Sequence, residues 1–312
     1  MSKYIRNIKK DDNVLTFKID NSQDKFTTPL INAIRRTILS QIPNYSIDSD
    51  TVNFEVNTSM LHNEFLKHRL ILLPVKYDEV DKLNFKNIKI SYDGENKTEV
   101  MKNIYLRDFI VTYNEKKIDV NKIFSHTDIL FSKLNKGQKL NFTCYLKDGT
   151  VLTEGDGAQL TNVSCCVHYF TEDKDGEYKK NNVGNPLEYN IKIEIENDMD
   201  PMKIFKMGLK ILFKKLVELK TKINIEKADV NFLAYDFIDD DCIDCHALGG
   251  TITSYMANNI KYKFAGYDEA SPLEKKLIIR TALKSNNTID ENKKHFIKSI
   301  DNILKTIKTL FK

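Results

Sequence analysis

The sequence predicts an α+β fold in which one structural plan is used twice, and three observations point that way. Short runs such as "NVLTFKI" (13–19) and "LEYNIKIEI" (187–195) alternate apolar and polar residues, the period of a half-buried strand. Two longer segments space their apolar residues at steps of four, three, four, three. They are Phe205, Leu209, Leu212, Leu216 and Leu219, then Phe296, Ile300, Ile303, Ile307 and Leu310. Finally, the order strand, helix, strand, strand, long helix occurs over 13–220 and again over 229–311, with a β-rich stretch spliced into the first copy. The residues themselves do not repeat, so the repetition is architectural.

The elements follow in order. After the strand at 13–19, Thr28 is expected to cap a helix with Pro29 in its first turn, and Pro43 to end it. Leu30, Ile31, Ile34 and Ile38 share the core-facing arc, while Asn32, Arg35, Arg36 and Leu39 lie opposite. "TVNFEV" (51–56) reads as a strand and "NTSMLHNEFLKHRLILLPV" (57–75) as a short capped helix running into an apolar turn, with Phe65 and Leu70 in the core. From 76 to 180 come short strands broken by Gly and Asp, read as a separate β-rich insert. Pro201, behind Asp200 as cap, opens the first long helix; 221–228 is expected to be a junction. "VNFLAYDF" (230–237), "IKYKFAGYD" and "LEKKLIIRTAL" read as strands, and "HALGGTITSYMANN" (246–259) as a helix weakened by two glycines. Thr288 and Glu291 have capping-box spacing at the start of the last helix. The expected division is therefore 1–50 with 181–222, an insert over 51–180, and 223–312. The two long helices either pack on each other, making an intramolecular pseudo-dimer, or each cover only their own sheet; the narrow seams favour pairing.

Bulk composition narrows the function. The 312 residues exceed what one core usually holds, and 41% hydrophobic with 29% charged residues describes a folded, solvated chain. A net charge of +4, from 48 basic and 44 acidic side chains, is balanced rather than the strong basic excess of a nucleic-acid groove. The apolar run "LILLPV" is far too short to span a bilayer, and no apolar core follows the basic N-terminus, so neither a membrane anchor nor a signal peptide is expected. Five cysteines suit a reducing compartment better than a disulfide scaffold.

"NAIRRTILSQIP" (32–43) and "NTSMLHNEFLKHRLILLPV" (57–75) resemble the paired signatures of the α-type assembly subunits of multisubunit RNA polymerase, namely the archaeal D subunit and the eukaryotic third subunit. "KLNKGQKLNFTCYLKDG" and "GAQLTNVSCCVHYF" look like that family's insert. "CHALGG", "FAGYDEASPLEKKLIIRT" and the last helix are similar to the smaller partner, the archaeal L subunit and its eukaryotic equivalents. The resemblance implies two α-subunit-type dimerisation units fused on one chain, paired through their long helices, with a β-rich insert in the first. It implies a non-catalytic platform that recruits the two largest polymerase subunits, with a small accessory subunit as a further partner. DNA would be met only through the complex; no small-molecule substrate and no cofactor are implied. By the same resemblance the Asn32/Arg35/Arg36/Leu39 face and Glu64, His68 and Arg69 contact the large subunits; spacing alone reads Arg35 and Arg36 as solvated or paired with nearby acids, and Glu64 with His68 as a helix-surface pair. Arginine suits that role because its planar fork binds carboxylates in pairs. The fusion, with a composition rich in Lys, Asn and Ile, looks like a subunit from a large DNA virus that transcribes in the host cytoplasm and packages its polymerase in the virion; otherwise it would be intracellular.

Other motifs weigh less. "CIDCH" (242–246) fits covalent haem attachment, which also needs an oxidising compartment. A zinc site from Cys242, Cys245 and His246 lacks a second ligand pair nearby and stays open. Residues 76–143 contain no cysteine, unlike the metal-bearing inserts of the family, so no metal is expected there. The glycine that opens the family's first motif is replaced by Ile31. "GGTITS" (249–254) has no lysine following it and is not a phosphate loop. The lysine-rich runs "FKKLVELKTK" and "KKHFIKSIDNILKTIK" read as the wet faces of helices. A stand-alone nucleic-acid-binding factor using those lysines is the alternative function.

Overall fold

The computed structural model describes residues 2–151, 160–161, 163–172, 177–181, 184–196, 198–229, 232–238, 244–259, 261–269, 276–284 and 288–311. The chain forms two compact units, one of Met1–Ile42, Cys165–Glu194 and Pro201–Lys312, the other of Pro43–Ser164 and Ile195–Asp200. No helix among the described residues is long and apolar enough to cross a membrane.

The first unit begins with the hairpin β1 (Ile5–Asp11) and β2 (Val14–Asp20), in which Asp11 faces Val14. Asp12 takes a positive φ of 37° in the two-residue turn. On β2 Leu15, Phe17 and Ile19 point inward, as the alternation requires. β1 is polar and lies at the sheet edge, which is why its pattern gave no warning. Helix α1 (Thr28–Ser40) is capped by Thr27, not Thr28: the Leu30 amide donates to Thr27 Oγ1 at 3.4 Å. Thr28 instead lies 3.1 Å from the Tyr189 hydroxyl. The expected apolar arc is buried, joined by Ala33 and Thr37.

The second unit contains β3 (Asn44–Ile47), β4 (Asn53–Asn57), α2 (Asn63–Ile71), the single turn α3 (Tyr77–Val80), β5 (Ile88–Glu95), β6 (Lys102–Tyr105), β7 (Ile110–Tyr113), β8 (Lys116–Ile118), β9 (Leu130–Leu134) and β10 (Lys139–Gly149). Its main sheet runs β3-β10-β5-β7-β8, with β4 also on β10; β6 and β9 pair separately. The 11-residue β10 is the spine, burying Leu140, Phe142, Cys144 and Leu146 on one side. Phe142 meets Phe109 at 5.2 Å and Phe131 at 5.5 Å, ring centre to ring centre. The insert expected over 51–180 is thus drawn differently, because β11 (Val163–Tyr169) joins the sheet of the first unit.

Beyond β11 come β12 (Glu188–Ile195), α4 (Pro201–Thr221), β13 (Asn224–Asp229), β14 (Phe232–Ile238), α5 (Cys245–Ala257), β15 (Tyr262–Glu269), β16 (Lys276–Leu283) and α6 (Ile289–Phe311). The expected junction at 221–228 is corrected: most of it is β13, an edge strand whose polar "NIEKAD" hides the pattern. The capping box of α6 forms, Glu291 N donating to Thr288 Oγ1 at 3.3 Å and Thr288 N to Glu291 Oε2 at 3.0 Å. α5 needs one of its glycines, because a Cβ at Gly249 would stand 2.5 Å from the Tyr267 ring, whereas one at Gly250 would find ordinary room, 3.8 Å from Pro29.

The first unit holds two four-stranded sheets of the same order, β1-β2-β12-β11 and β13-β14-β16-β15. Each sheet has a short helix (α1, α5) after its first hairpin and a long helix (α4, α6) after its last strand. All ten seam residues of α4 and α6 are buried. Phe205 packs edge-on against Phe17 of its own sheet at 4.8 Å, and Phe296 stacks on Tyr235 of its own sheet at 4.0 Å. α4 and α6 also touch each other, through Lys220–Asp301 at 2.7 Å and the Phe213–Phe311 rings at 6.4 Å. Seam faces that cover a sheet and helices that meet are therefore not alternatives here. α1 packs on both α4 and α5. A Cβ at Gly208 of α4 would lie 2.5 Å from Ile38 Cγ1, so glycine sets the closeness of that crossing.

Candidate assembly surface

The outer face of α1 is partly occupied by its own chain. Arg35 Nε donates to Asn32 Oδ1 at 2.9 Å, one turn away, and both are half-buried, as is Leu39. Arg35 stands near β11, where burial pushes the Cys166 thiol up to about 12 and, ahead of the Arg35 charge, holds the His168 imidazole below its ordinary range. Arg36 differs from the expectation of a docking residue. Its Nε donates to Asp244 Oδ2 at 2.6 Å and one terminal nitrogen to Oδ1 at 3.0 Å. The Asp244 side chain is 4% exposed and that of Arg36 39%. Asp244 Oδ1 also accepts the Ala247 amide at 3.1 Å, capping α5. The guanidinium fork that suits a partner's carboxylate thus binds one from the second sheet's helix. The bond to Asp244 raises the Arg36 pKa further, so the charge is permanent.

On α2 the backbone enters from His62, whose Nδ1 accepts the Glu64 amide at 3.4 Å. Glu64 and His68 are exposed, one turn apart, with no hydrogen bond between them. Arg69 is anchored instead: Nε donates to Phe131 O at 2.9 Å and a terminal nitrogen to Leu130 O at 2.6 Å, tying α2 to β9. Leu70 is buried as expected, but Phe65 is not in the core: it is 67% exposed, with Leu72 at 62% and Met60 at 72%. Leu66 and Leu70 take the inward stripe, so Phe65, Arg69 and Leu72, spaced four and three apart, fall on the outward one. Sequence reasoning missed Phe65, Leu72 and Met60. The signal was available, because a nine-residue helix with apolar residues on both stripes cannot bury them all.

Of the "CIDCH" motif, Cys242 lies outside the described residues. Cys245 is buried in the first turn of α5, its thiol pushed up to about 11 chiefly by burial. His246 is exposed, with Nε2 3.3 Å from Glu269 and Nδ1 3.4 Å from the Tyr267 hydroxyl. Among the described residues no three His, Cys, Asp or Glu side chains gather as metal ligands.

Residues 23–216 match the family model described as the RNA polymerase Rpb3/Rpb11 dimerisation domain. The chain belongs to this family. The matched span includes α1, α2 and most of α4, and the α5–α6 half lies beyond it. The chain is 23% identical over 274 residues to DNA-directed RNA polymerase II subunit RPB3 of Schizosaccharomyces pombe, covering 72% of this chain and 87% of that protein. It is 32% identical over 149 residues to DNA-directed RNA polymerase subunit Rpo3 of Pyrococcus horikoshii, covering 46% and 52%. Subunit 3 of RNA polymerases II, IV and V of Arabidopsis thaliana is 28% identical over 142 residues, covering 38% and 44%. The chain thus spans about half the length of the archaeal and plant relatives and most of the fission-yeast one.

Proposed function

We propose that this Rpb3/Rpb11-family chain holds a polymerase together by presenting α2 to a large catalytic subunit, with its two sheet-and-helix halves clasped as an intramolecular pseudo-dimer. The chain is a non-catalytic assembly subunit of DNA-directed RNA polymerase, a conclusion resting on the family match and the subunit 3 relatives. The strands and helices of 1–42 and 165–222 outside the second unit make the larger dimerisation unit, Pro43–Ser164 carry the insert, and 223–312 supply the smaller unit. The identical strand order of the two sheets and the α4–α6 and α1–α5 contacts support that pairing. The two largest subunits are the partners, reached through the outer residues of α1 (Asn32, Arg35, Leu39) and the exposed face of α2 (Glu64, His68). Joining both halves raises their effective concentration for each other, so the clasp needs no bimolecular encounter. That fusion and the Lys-, Asn- and Ile-rich composition support a viral enzyme working in the host cytoplasm and carried in the virion.

The observation that carries the docking reading is the apolar outward stripe of α2. Phe65 and Leu72 stand in water while Arg69, fixed to two carbonyls, holds the helix rigid beneath them. Such anchors at the centre of a contact dominate its energy. The test is co-purification of the large subunits with Phe65→Glu/Leu72→Glu, using circular dichroism to verify folding. Loss of at least one large subunit from a folded variant is expected; full retention of both would refute the assignment.

A further inference from the structure

The two ends of the chain meet around a basic cavity of about 650 Å³, lined by Lys3, Tyr4, Lys25, Lys305, Lys308 and Thr309. Three separate segments contribute: the N-terminal residues before β1, the loop between β2 and α1, and the last turns of α6. Tyr4, 4% exposed, forms the floor and is fixed from several sides. Its ring meets Phe26 edge-on at 5.5 Å, and its hydroxyl donates to Gln23 Oε1 at 2.9 Å. Lys3 Nζ and Lys25 Nζ lie 5.2 and 4.8 Å from the ring centre, and Lys25 Nζ also donates to the Tyr4 hydroxyl. The Lys25 backbone is held in turn, since its carbonyl accepts the Tyr255 hydroxyl of α5. On the opposite wall Lys308 rests over the Phe213 ring at 5.2 Å.

This cluster is unusual for a chain whose charges balance almost evenly. Among the described residues none of the four ammonium groups is paired with a carboxylate. Lysines at the end of a helix complement its dipole, which accounts for Lys305 and Lys308. It does not account for Lys3 and Lys25, which come from the other end of the chain to the same cavity. The local field is strong enough to be felt by the phenol: the Lys25 bond, against the effect of burial and with the charges of Lys25 and Lys3, holds Tyr4 below the ordinary tyrosine range. Like charges gathered without counter-charge repel, and a bound anion removes that repulsion.

The geometry points to a binding site for clustered phosphate groups in this cavity. No arginine lines it, so an anion would be held by ammonium point charges rather than by a planar fork. Compact ammonium charges on flexible stems suit phosphate oxygens from any direction. Clustered phosphates come from a free polyphosphate chain or from the backbone of single-stranded nucleic acid, and one experiment separates them. Sodium tripolyphosphate, a 12-nucleotide single strand and a poly-glutamate peptide are titrated into the full chain by calorimetry over a range of salt. The same titrations use Lys25→Gln and Lys305→Gln/Lys308→Gln; these side chains reach solvent, and an unchanged melting temperature verifies their fold. Tripolyphosphate binding that the variants weaken at least about tenfold supports a free-polyphosphate site. Oligonucleotide binding whose salt slope falls by about 1 per lysine removed supports a nucleic-acid backbone. Binding unchanged in the variants, no binding of either phosphate ligand, or equal affinity for poly-glutamate would overturn the proposal.

Discussion

Removing the Arg36–Asp244 pair should loosen the clasp between the first helix of each half. The pair is bidentate, at 2.6 and 3.0 Å, with one partner almost wholly buried and the other 39% exposed. Breaking a fully buried pair costs ~3–5 kcal/mol, whereas an exposed pair contributes ~0–1 kcal/mol. With one partner partly in water, Arg36→Ala is expected to cost about 2 kcal/mol, most of it from the carboxylate left buried without its cation. Asp244→Ala frees an arginine that can rehydrate, but it also removes the cap of α5, worth about 1 kcal/mol, so its total is similar. The double variant should then show a coupling energy of about 1–2 kcal/mol rather than simple addition. The assay is urea unfolding of the four proteins with hydrogen exchange read at the α5 amides, where the loss should concentrate. Asp244→Asn keeps a capping oxygen and should restore the cap but not the pair. A coupling energy within about 0.3 kcal/mol of zero would mean that the halves are held without this bridge, and the reasoning would fail.

Three further outcomes follow from the packing. Gly208→Ala should destabilise by about 1–3 kcal/mol, because the new methyl meets Ile38 at 2.5 Å; pairing it with Ile38→Val should recover part of the loss in thermal melts. Phe65→Ser should leave the melting temperature within about 0.5 kcal/mol equivalent of the parent, whereas Leu70→Ala, fully buried, should cost about 2–5 kcal/mol. His168 is kept neutral by burial and by Arg35, while the unfolded chain takes up a proton below about pH 6.5. Its contribution is therefore complete above that pH and is lost as pH falls, so His168→Gln should flatten the decline in unfolding free energy between about pH 7 and 5. An unchanged slope would contradict the shift.

The amphipathic elements were legible because their signal is local. The seams of α4 and α6, the arc of α1 and the alternation of β12 each repeat within a few residues, and each buries the side chains its period selects. The edge strands β1 and β13 were not, since each has one neighbour in its sheet and its residues, "IRNIKKD" and "NIEKAD", carry a largely polar pattern. The candidate surface was half legible. The motifs pointed to α1 and α2, but Phe65 looked like core, and Arg36 and Arg69 were expected at a partner until the chain's own partners appeared 208 and 62 residues away.

The sequence by itself determined the amphipathic helices and the alternating inner strands, where α6 begins, and that one plan occurs twice; periodicity, caps and prolines act within a turn or two of themselves. Only the tertiary structure decided that β11 completes the first unit's sheet, that Arg36 serves the chain's own Asp244, and that lysines from both ends line one cavity with Tyr4. The reason is that a side chain's partner across space is set by how whole sheets and helices pack, and no spacing along the chain encodes that distance.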